Sequence, residues 1–441
     1  MRYYIVLFVL LVSVVTFGQN KKWTLEECLT YALENNITVK QGVNVLLSND
    51  QDVIANKGSF LPSVSARANH NLVIGNAEIF TGQFVDQTIN STNLGINVNQ
   101  TVFDGFRNTY LYRQSLINRE ANELELNRIR DDISLNVVNS YLNVLFNREN
   151  LQVARAQLEF STKQLEQAQG LVDAGVQPQA NVYDAEATVA SDEQNVTIAE
   201  NNYNLALLTL SQVLQLPFDG FDVEIIDIDD PQSVEVLYSD VQPILNFALE
   251  NRYEVKVAEK NIESAALGTK LSKSGFYPTL TAGYGFGSNA FFSNLTDTEL
   301  SFFDQLNEQK SHSFNVNLNI PIFSRFVNKT NVARSKITEE NRKLALEQAR
   351  LDLETNIQRA FTDAQAALKT YEASKKAFAS QRLAFDNAQE RYNIGAINSF
   401  DLDQARFTLV DAVSKQINAK YDFIFKTKVL DFYLGKPLTI N

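Results

Sequence analysis

The chain has 441 residues, with 52 acidic against 39 basic side chains and a net charge of −13. That balance, with no basic block to follow a phosphate backbone, speaks against a nucleic-acid partner, and a single cysteine excludes an intrachain disulfide. No phosphate-binding glycine loop, paired metal ligands or nucleophile set appears, so no cofactor and no chemistry of the chain's own are expected.

In chain order, Arg2, an apolar run from Tyr3 to Phe17 and the small residue Gly18 make up the three parts of a secretory leader, with cleavage expected after Gly18. The run is too short for a comfortable membrane-spanning helix. Cys28 falls inside the first helical pattern (24–57) instead of just after the run, so a buried helix residue is expected there and a lipid anchor is not.

A strand hairpin follows over 60–103, and a second over 276–324. In the first, Val64, Ala66, Ala68, Leu72 and Ile74 alternate with Ser63, Ser65, Arg67, Asn69 and Asn71, and Leu94, Ile96 and Val98 alternate with Gly95, Asn97 and Asn99. In the second, Leu280, Ala282, Tyr284, Phe286, Phe314, Val316, Leu318, Ile320 and Ile322 oppose Asn315, Asn317 and Asn319. Strict alternation marks strands with one apolar face. A soluble sandwich is a poor fit for four strands in an otherwise helical chain. Apolar side chains outward and Arg67, Asn69, Asn97, Asn99, Asn315 and Asn317 toward a lumen suit a transmembrane barrel. Four strands cannot close one, and lipid tolerates no open edge, so copies must combine. Two would give eight strands with a filled interior, and three would give twelve with room for water; three is favoured. The polar segments 76–91 and 288–311 are expected as extracellular loops, with His70 and His312 solvent-facing in or beside them.

After each hairpin comes a helical stretch of unusual length. Residues 107–172 hold no proline and one glycine, and 327–392 hold neither; at about 1.5 Å per residue each spans roughly 100 Å. Leu151, Leu158, Leu165 and Val172 recur every seventh residue beside Ala154, Ser161 and Ala168, and Tyr371, Phe378, Phe385 and Tyr392 recur beside Ser374, Gln381 and Ala388. Large and small residues alternating along one seam is coiled-coil arithmetic. Shorter helices are expected at 179–214, 243–274 and 400–434, so that pairs of them stack to the length of one long rod. Between Pro217 and Pro243 lies an acidic strand and loop in which Asp227, Asp229 and Asp230 lack the glycine and final glutamate of a calcium loop; a solvated turn is expected.

Each long helix ends in a matching turn, 171–179 and 391–399. Gly175 and Gly395 take the left-handed helix-ending position. Pro178 and Ser399 then open the next helix, by fixed φ and as a cap respectively, and Asp173 lies at the same tip.

The chain is thus a duplication. Tyr31-Ala32-Leu33-Glu34-Asn35-Asn36 returns as Phe247-Ala248-Leu249-Glu250-Asn251-Arg252 and Phe60-Leu61-Pro62 as Phe276-Tyr277-Pro278, shifted by 216 residues. Beyond the hairpin tips the shift is 220, as for Phe106 and Phe326, Gly175 and Gly395, and Pro217 and Pro437. After the leader (1–18) come a first repeat (19–217), an acidic connection (218–240), a second repeat (241–437) and a short tail (438–441). The reading is a mainly α chain with a small transmembrane β part.

Arg391-Tyr392-Asn393-Ile394-Gly395 followed by Phe400-Asp401-Leu402-Asp403-Gln404-Ala405, the Phe-x-Pro strand starts, the doubled halves and the leader resemble TolC-type outer membrane efflux proteins over essentially the whole mature chain. The resemblance implies a duplicated fold of long coiled-coil helices and a homotrimer with a twelve-stranded barrel among outer membrane lipids. It also implies a helical tunnel across the periplasm, opened when a periplasmic adaptor (membrane fusion protein) and an inner membrane pump engage the helix tips. In that family aspartates near the start of the last helix narrow the entrance. Asp401 matches the first such position, and Gln404 stands at the second with Asp403 beside it. The repeat adds Asp184. These three are the candidate gate carboxylates, favouring cations when tripled by symmetry, against the simpler role of first-turn acids at a helix N-terminus. The tip residues Asp173, Gly175, Pro178, Gly395 and Ser399 are the candidate adaptor-docking set.

An exit duct is the favoured function. A periplasmic coiled-coil adaptor or spacer would explain the helices but not four inside-out strands. An outer membrane hydrolase would need a Ser or Cys placed by His, and neither histidine has such a setting. Neither the cargo nor the pump class is written in the lumen residues.

Overall fold

The computed structural model describes residues 21–225, 240–296 and 300–438. The leader and Asp227, Asp229 and Asp230 lie outside the described residues. The elements run β1 Lys22–Trp23, α1 Leu25–Asn35, α2 Ile37–Gly58, β2 Ser63–Phe80, β3 Gln83–Phe103, α3 Arg107–Asp173, α4 Ala180–Leu214, β4 Asp222–Val223, α5 Gln242–Asn251, α6 Tyr253–Ser274, β5 Thr279–Ser293, α7 Phe302–Glu308, β6 Lys310–Asn319, α8 Val327–Asn393 and α9 Ser399–Tyr433. The long helices α3 and α8 have 67 residues each. No helix among the described residues is long and apolar enough to cross a membrane.

Two compact units can be distinguished. The first takes in residues up to 43, 125–255 and those from 348 on. Its main core joins Cys28 and Ala32 of α1, Val137, Val138 and Tyr141 of α3, and Leu207, Leu210 and Leu214 of α4. Thr24 starts α1 with a capping box, its Oγ1 accepting the Glu27 N–H at 3.1 Å while a Glu27 carboxylate oxygen accepts the Thr24 N–H at 3.1 Å. Cys28 is fully buried, as expected, and burial pushes its thiol up to about 12, which makes it inert. β1 pairs in parallel with β4, and the Tyr141 hydroxyl ties that pair down by donating to the Glu224 carbonyl at 2.6 Å.

One expectation needs correction. Residues 24–57 and 243–274 do not form single helices: each breaks at its equivalent position, Asn36 and Arg252, whose ψ values of 133° and 139° are extended. Asn36 closes α1 and caps α2 at once, since its Oδ1 accepts the Thr38 N–H at 2.9 Å while its Nδ2 donates to the Val213 carbonyl at 3.1 Å. At the second break the buried Arg252 guanidinium binds Asp131 at 3.0 Å and Glu254 at 3.2 Å and lies 4.0 Å over the Phe432 ring. The same kink is held by an amide in one repeat and by an ion pair in the other.

The second unit, residues 44–124 and 256–347, holds the antiparallel four-stranded sheet, in the order β2-β3-β5-β6. Here too the expectation changes. Residues 76–91 are not a loop; β2 and β3 run on to a two-residue turn at Thr81 and Gly82. Polarity misleads here because a backbone ladder needs hydrogen bonds and no apolar face. Within 288–311, β5 continues to Ser293 and α7 follows. The fully buried Gln305 on α7 accepts the Phe291 N–H at 2.8 Å, so a side-chain amide caps part of β5 that β6 does not reach.

The two passages from sheet to long helix are near copies. Gly105 and Phe106 have φ of +67° and +66°, and Arg325 and Phe326 have +49° and +65°. Asp104 accepts the Asn108 N–H at 2.9 Å, and Ser324 accepts the Asn328 N–H at 3.4 Å. Asn108 and Asn328 then donate to the Ser59 and Gly275 carbonyls. Glycine is required at 105, because a Cβ there would meet Tyr277 Cβ at 2.7 Å and the Ser274 carbonyl at 2.8 Å.

Candidate functional site: strand faces and helix tips

The sheet sorts its side chains by row. Val64, Val98, Tyr284 and Phe314 lie in line across the four strands, as do Ala66, Ile96, Phe286 and His312. The rows between them are Ser63, Asn99, Gly283 and Asn315, then Ser65, Asn97, Gly285 and Ser313, then Arg67, Gly95, Gly287 and Ser311. Asn69 pairs with Asn93, and Asn317 with Thr281. All six proposed lumen residues therefore share one face, and the apolar residues share the other. In one copy that apolar face is bare: Phe314 is 80 % exposed and Val316 71 %. His70 and His312 stand within β2 and β6, not in loops, and on the apolar face. β2 and β6 each keep one unpaired edge. They run in opposite directions, so β6 of one copy can pair antiparallel with β2 of another.

At the helix tips, both turns are Schellman motifs. Gly175 donates to the Val172 carbonyl and Val176 to the Leu171 carbonyl, each at 2.8 Å; Gly395 and Ala396 repeat this at 2.9 and 2.8 Å, with φ of +73° and +75° at the two glycines. The expected cap shifts by one residue: Asn398, not Ser399, caps α9, its Oδ1 accepting the Asp401 N–H at 2.9 Å. Pro178 stands two residues before α4 and accepts the Asn181 N–H at 3.1 Å. Asp173, at the end of α3, accepts from Gln169 at 2.9 Å. Of the expected seam residues, Phe385 and Tyr371 pack against aromatic rings outside the seam, Phe385 edge-on to Phe160 at 5.6 Å and Tyr371 stacked on Phe423 of α9 at 6.3 Å.

The three gate candidates do not come together in one chain. Asp401 is an exposed acid in the first turn of α9. Asp184 and Asp403 line a cavity of about 40 Å³ with Asn181, Tyr392 and Arg406. Arg406, 3 % exposed, bonds Asp192 at 2.7 Å and lies 3.5 Å from Asp403. Burial, opposed by the Arg406 charge and reinforced by Asp192 and Asp184, pushes the Asp403 carboxyl up. Sequence spacing does not announce this pair, which joins α4 of one repeat to α9 of the other: Arg406 and Asp192 are not equivalent positions, and a lone charge in an amphipathic pattern reads as surface.

A family model described as outer membrane efflux protein matches residues 29–214 and 244–436. The outer membrane protein TolC of Salmonella enteritidis is 22% identical over 352 residues, which cover 78% of this chain and 69% of that protein. The pyoverdine export outer membrane protein OpmQ of Pseudomonas aeruginosa is 24% identical over 304 residues, 68% of this chain and 60% of that protein. The outer membrane channel CmeC of Campylobacter jejuni superposes with a TM-score of 0.76 at 18% identity, over 95% of this chain and 86% of that one.

Proposed function

This chain belongs to the outer membrane efflux protein family, whose members are outer membrane exit ducts extending into the periplasm, and on that footing we propose that three copies close one twelve-stranded barrel. An adaptor and an inner membrane pump open it at the helix tips. The observation that carries this is the sheet: one polar face, one bare apolar face and two free edges of opposite direction. Free edges cost several kcal/mol per unpaired group in lipid, so closure through copies removes the largest penalty. Twelve strands leave an interior wide enough for water, lined by Arg67, Asn69, Asn97, Asn99, Asn315 and Asn317.

At the tips, Asp173, Gly175, Pro178, Gly395 and Ser399 form the surface met by an adaptor. Asp401, exposed in the first turn of α9, is the gate carboxylate, its charge repeated three times about the axis. Asp403 and Asp184 support it less directly, through Arg406. The energy for transport belongs to the pump. Insertion of the purified protein into planar bilayers tests this. Conductance steps with cation preference are expected, and Asp401→Ala reduces block by divalent cations. Absence of any conductance would remove the duct, and unchanged block in the variant would remove Asp401 as the gate.

A further inference from the structure

The chain's two histidines take no part in the reading above. His312 shares an apolar-face row with Ala66, Ile96 and Phe286, and His70 a row with Thr92 and Ala290. The Nδ1 atom of His70 lies 2.9 Å from the Thr92 hydroxyl, and that of His312 lies 2.9 Å from the Tyr284 hydroxyl. Nε2 of neither ring has a hydrogen bond among the described residues. A hydroxyl accepting from Nδ1–H holds the ring in the tautomer whose Nε2 lone pair is free for a metal ion.

Within one chain β3 and β5 separate the two rings. Closure by three copies, on which this inference rests, brings β6 of one copy beside β2 of the next, and symmetry restricts the register there. Rows run straight from Val64 to Phe314 within a copy, so the stagger of the whole barrel is taken up at the seams, equally at all three. An odd step would turn the apolar face inward, so the step is even. With a rise of about 3.4 Å and a strand spacing of about 4.8 Å, a step of about four residues per seam gives a strand tilt of about 35°, within the usual range. A step of about two gives only about 20°, and one of about six gives about 47°.

A four-residue step sets Asn319 opposite Ser63 of the next copy and Lys310 opposite its Leu72, so all 10 residues of β6 pair from the foot of β2 upward. A larger step leaves Ser63 and Val64, at the foot of β2, without backbone partners, which a strand edge in lipid does not tolerate. The four-residue step also sets His312 opposite His70 of the next copy, with Cβ atoms about 5 Å apart. We infer that each seam between copies carries this imidazole pair, a site for a transition-metal dication such as Zn²⁺, Ni²⁺ or Cu²⁺ that bridges the two Nε2 atoms. Imidazole suits these ions, and water or lipid headgroup oxygens complete the coordination.

Two experiments on the full-length protein in detergent test it. Oxidation of the double variant His70→Cys with His312→Cys is expected to link chains into a covalent trimer, whereas neither single variant links. Zn²⁺ at pH 7.5 is expected to raise the temperature at which the trimer dissociates on a denaturing gel by roughly 5 °C relative to chelator, and His70→Ala or His312→Ala to abolish the rise. Linking of Leu72→Cys with His312→Cys in place of the 70/312 pair would overturn the register. A linked trimer indifferent to zinc, or a rise that survives both alanine variants, would overturn the metal site. Failure to form any trimer would overturn the closure itself.

Discussion

The passages from sheet to long helix and the ion pairs of the helical unit are built on opposite plans. At Gly105 and Arg325 the chain makes the same left-handed step, followed by the same asparagine bond back to the end of the preceding helix. Asp192–Arg406 and Asp131–Arg252 occur once each, at positions whose repeat partners are uncharged or of the other sign. Duplication therefore accounts for the scaffold, while what distinguishes the two halves is written in buried charge. The same division separates what the proposed barrel needs of every strand from what a gate needs at one place.

Removing one partner of the buried pair should have the largest effect. Arg406→Ala leaves Asp192 buried and uncompensated and is expected to cost about 3–5 kcal/mol, read as a drop in the unfolding midpoint. The double variant Arg406→Leu with Asp192→Leu should recover most of it, and equal losses in both would show that the pair is held by packing and not by charge. Next comes the repeated step: Gly105→Ala forces a Cβ against Tyr277 and the Ser274 carbonyl and is expected to cost about 2–3 kcal/mol. Arg325→Gly, at the matching position, should gain about 1 kcal/mol by relieving a side chain held at positive φ. A loss there would mean that the two steps are alike in backbone only.

The smallest effect concerns pH. The Asp403 carboxyl is raised in the fold, so the folded state binds its proton more readily than the unfolded chain. Its contribution is present below the ordinary aspartate range and is lost as pH rises through the raised value. Asp403 is 37% exposed, so the slope is slight. Asp403→Asn should flatten it in a pH series of unfolding midpoints, and an unchanged slope would assign it to other carboxyls such as Asp131 and Asp132, which burial also raises.

Much of the fold was legible because its signals are local and repeated. Val64, Ala66, Ala68, Leu72 and Ile74 fall at every second position, and the register sets them on one face and Ser63, Ser65, Arg67, Asn69 and Asn71 on the other, with His70 and Val73 as the departures. Gly175 and Gly395 announce left-handed turns that no side chain accepts easily. The breaks at Asn36 and Arg252 were hidden because neither a proline nor a glycine marks them; a side-chain bond to a distant carbonyl and a buried ion pair do. The outer parts of β2 and β3 were hidden by polar residues, and the edge-capping Gln305 by lying in a seven-residue helix. At the candidate gate, Asp401 could be read from its place after the turn, but the grouping of Asp184 and Asp403 around Arg406 depends on contacts between repeats, which sequence spacing does not carry.

The most direct test of the central claim is the native mass of the full chain extracted from outer membranes in mild detergent. The account predicts three copies per particle, because only added copies can pair the free edges of β2 and β6. A stable single-chain particle, with its four-stranded sheet unpaired, would contradict it.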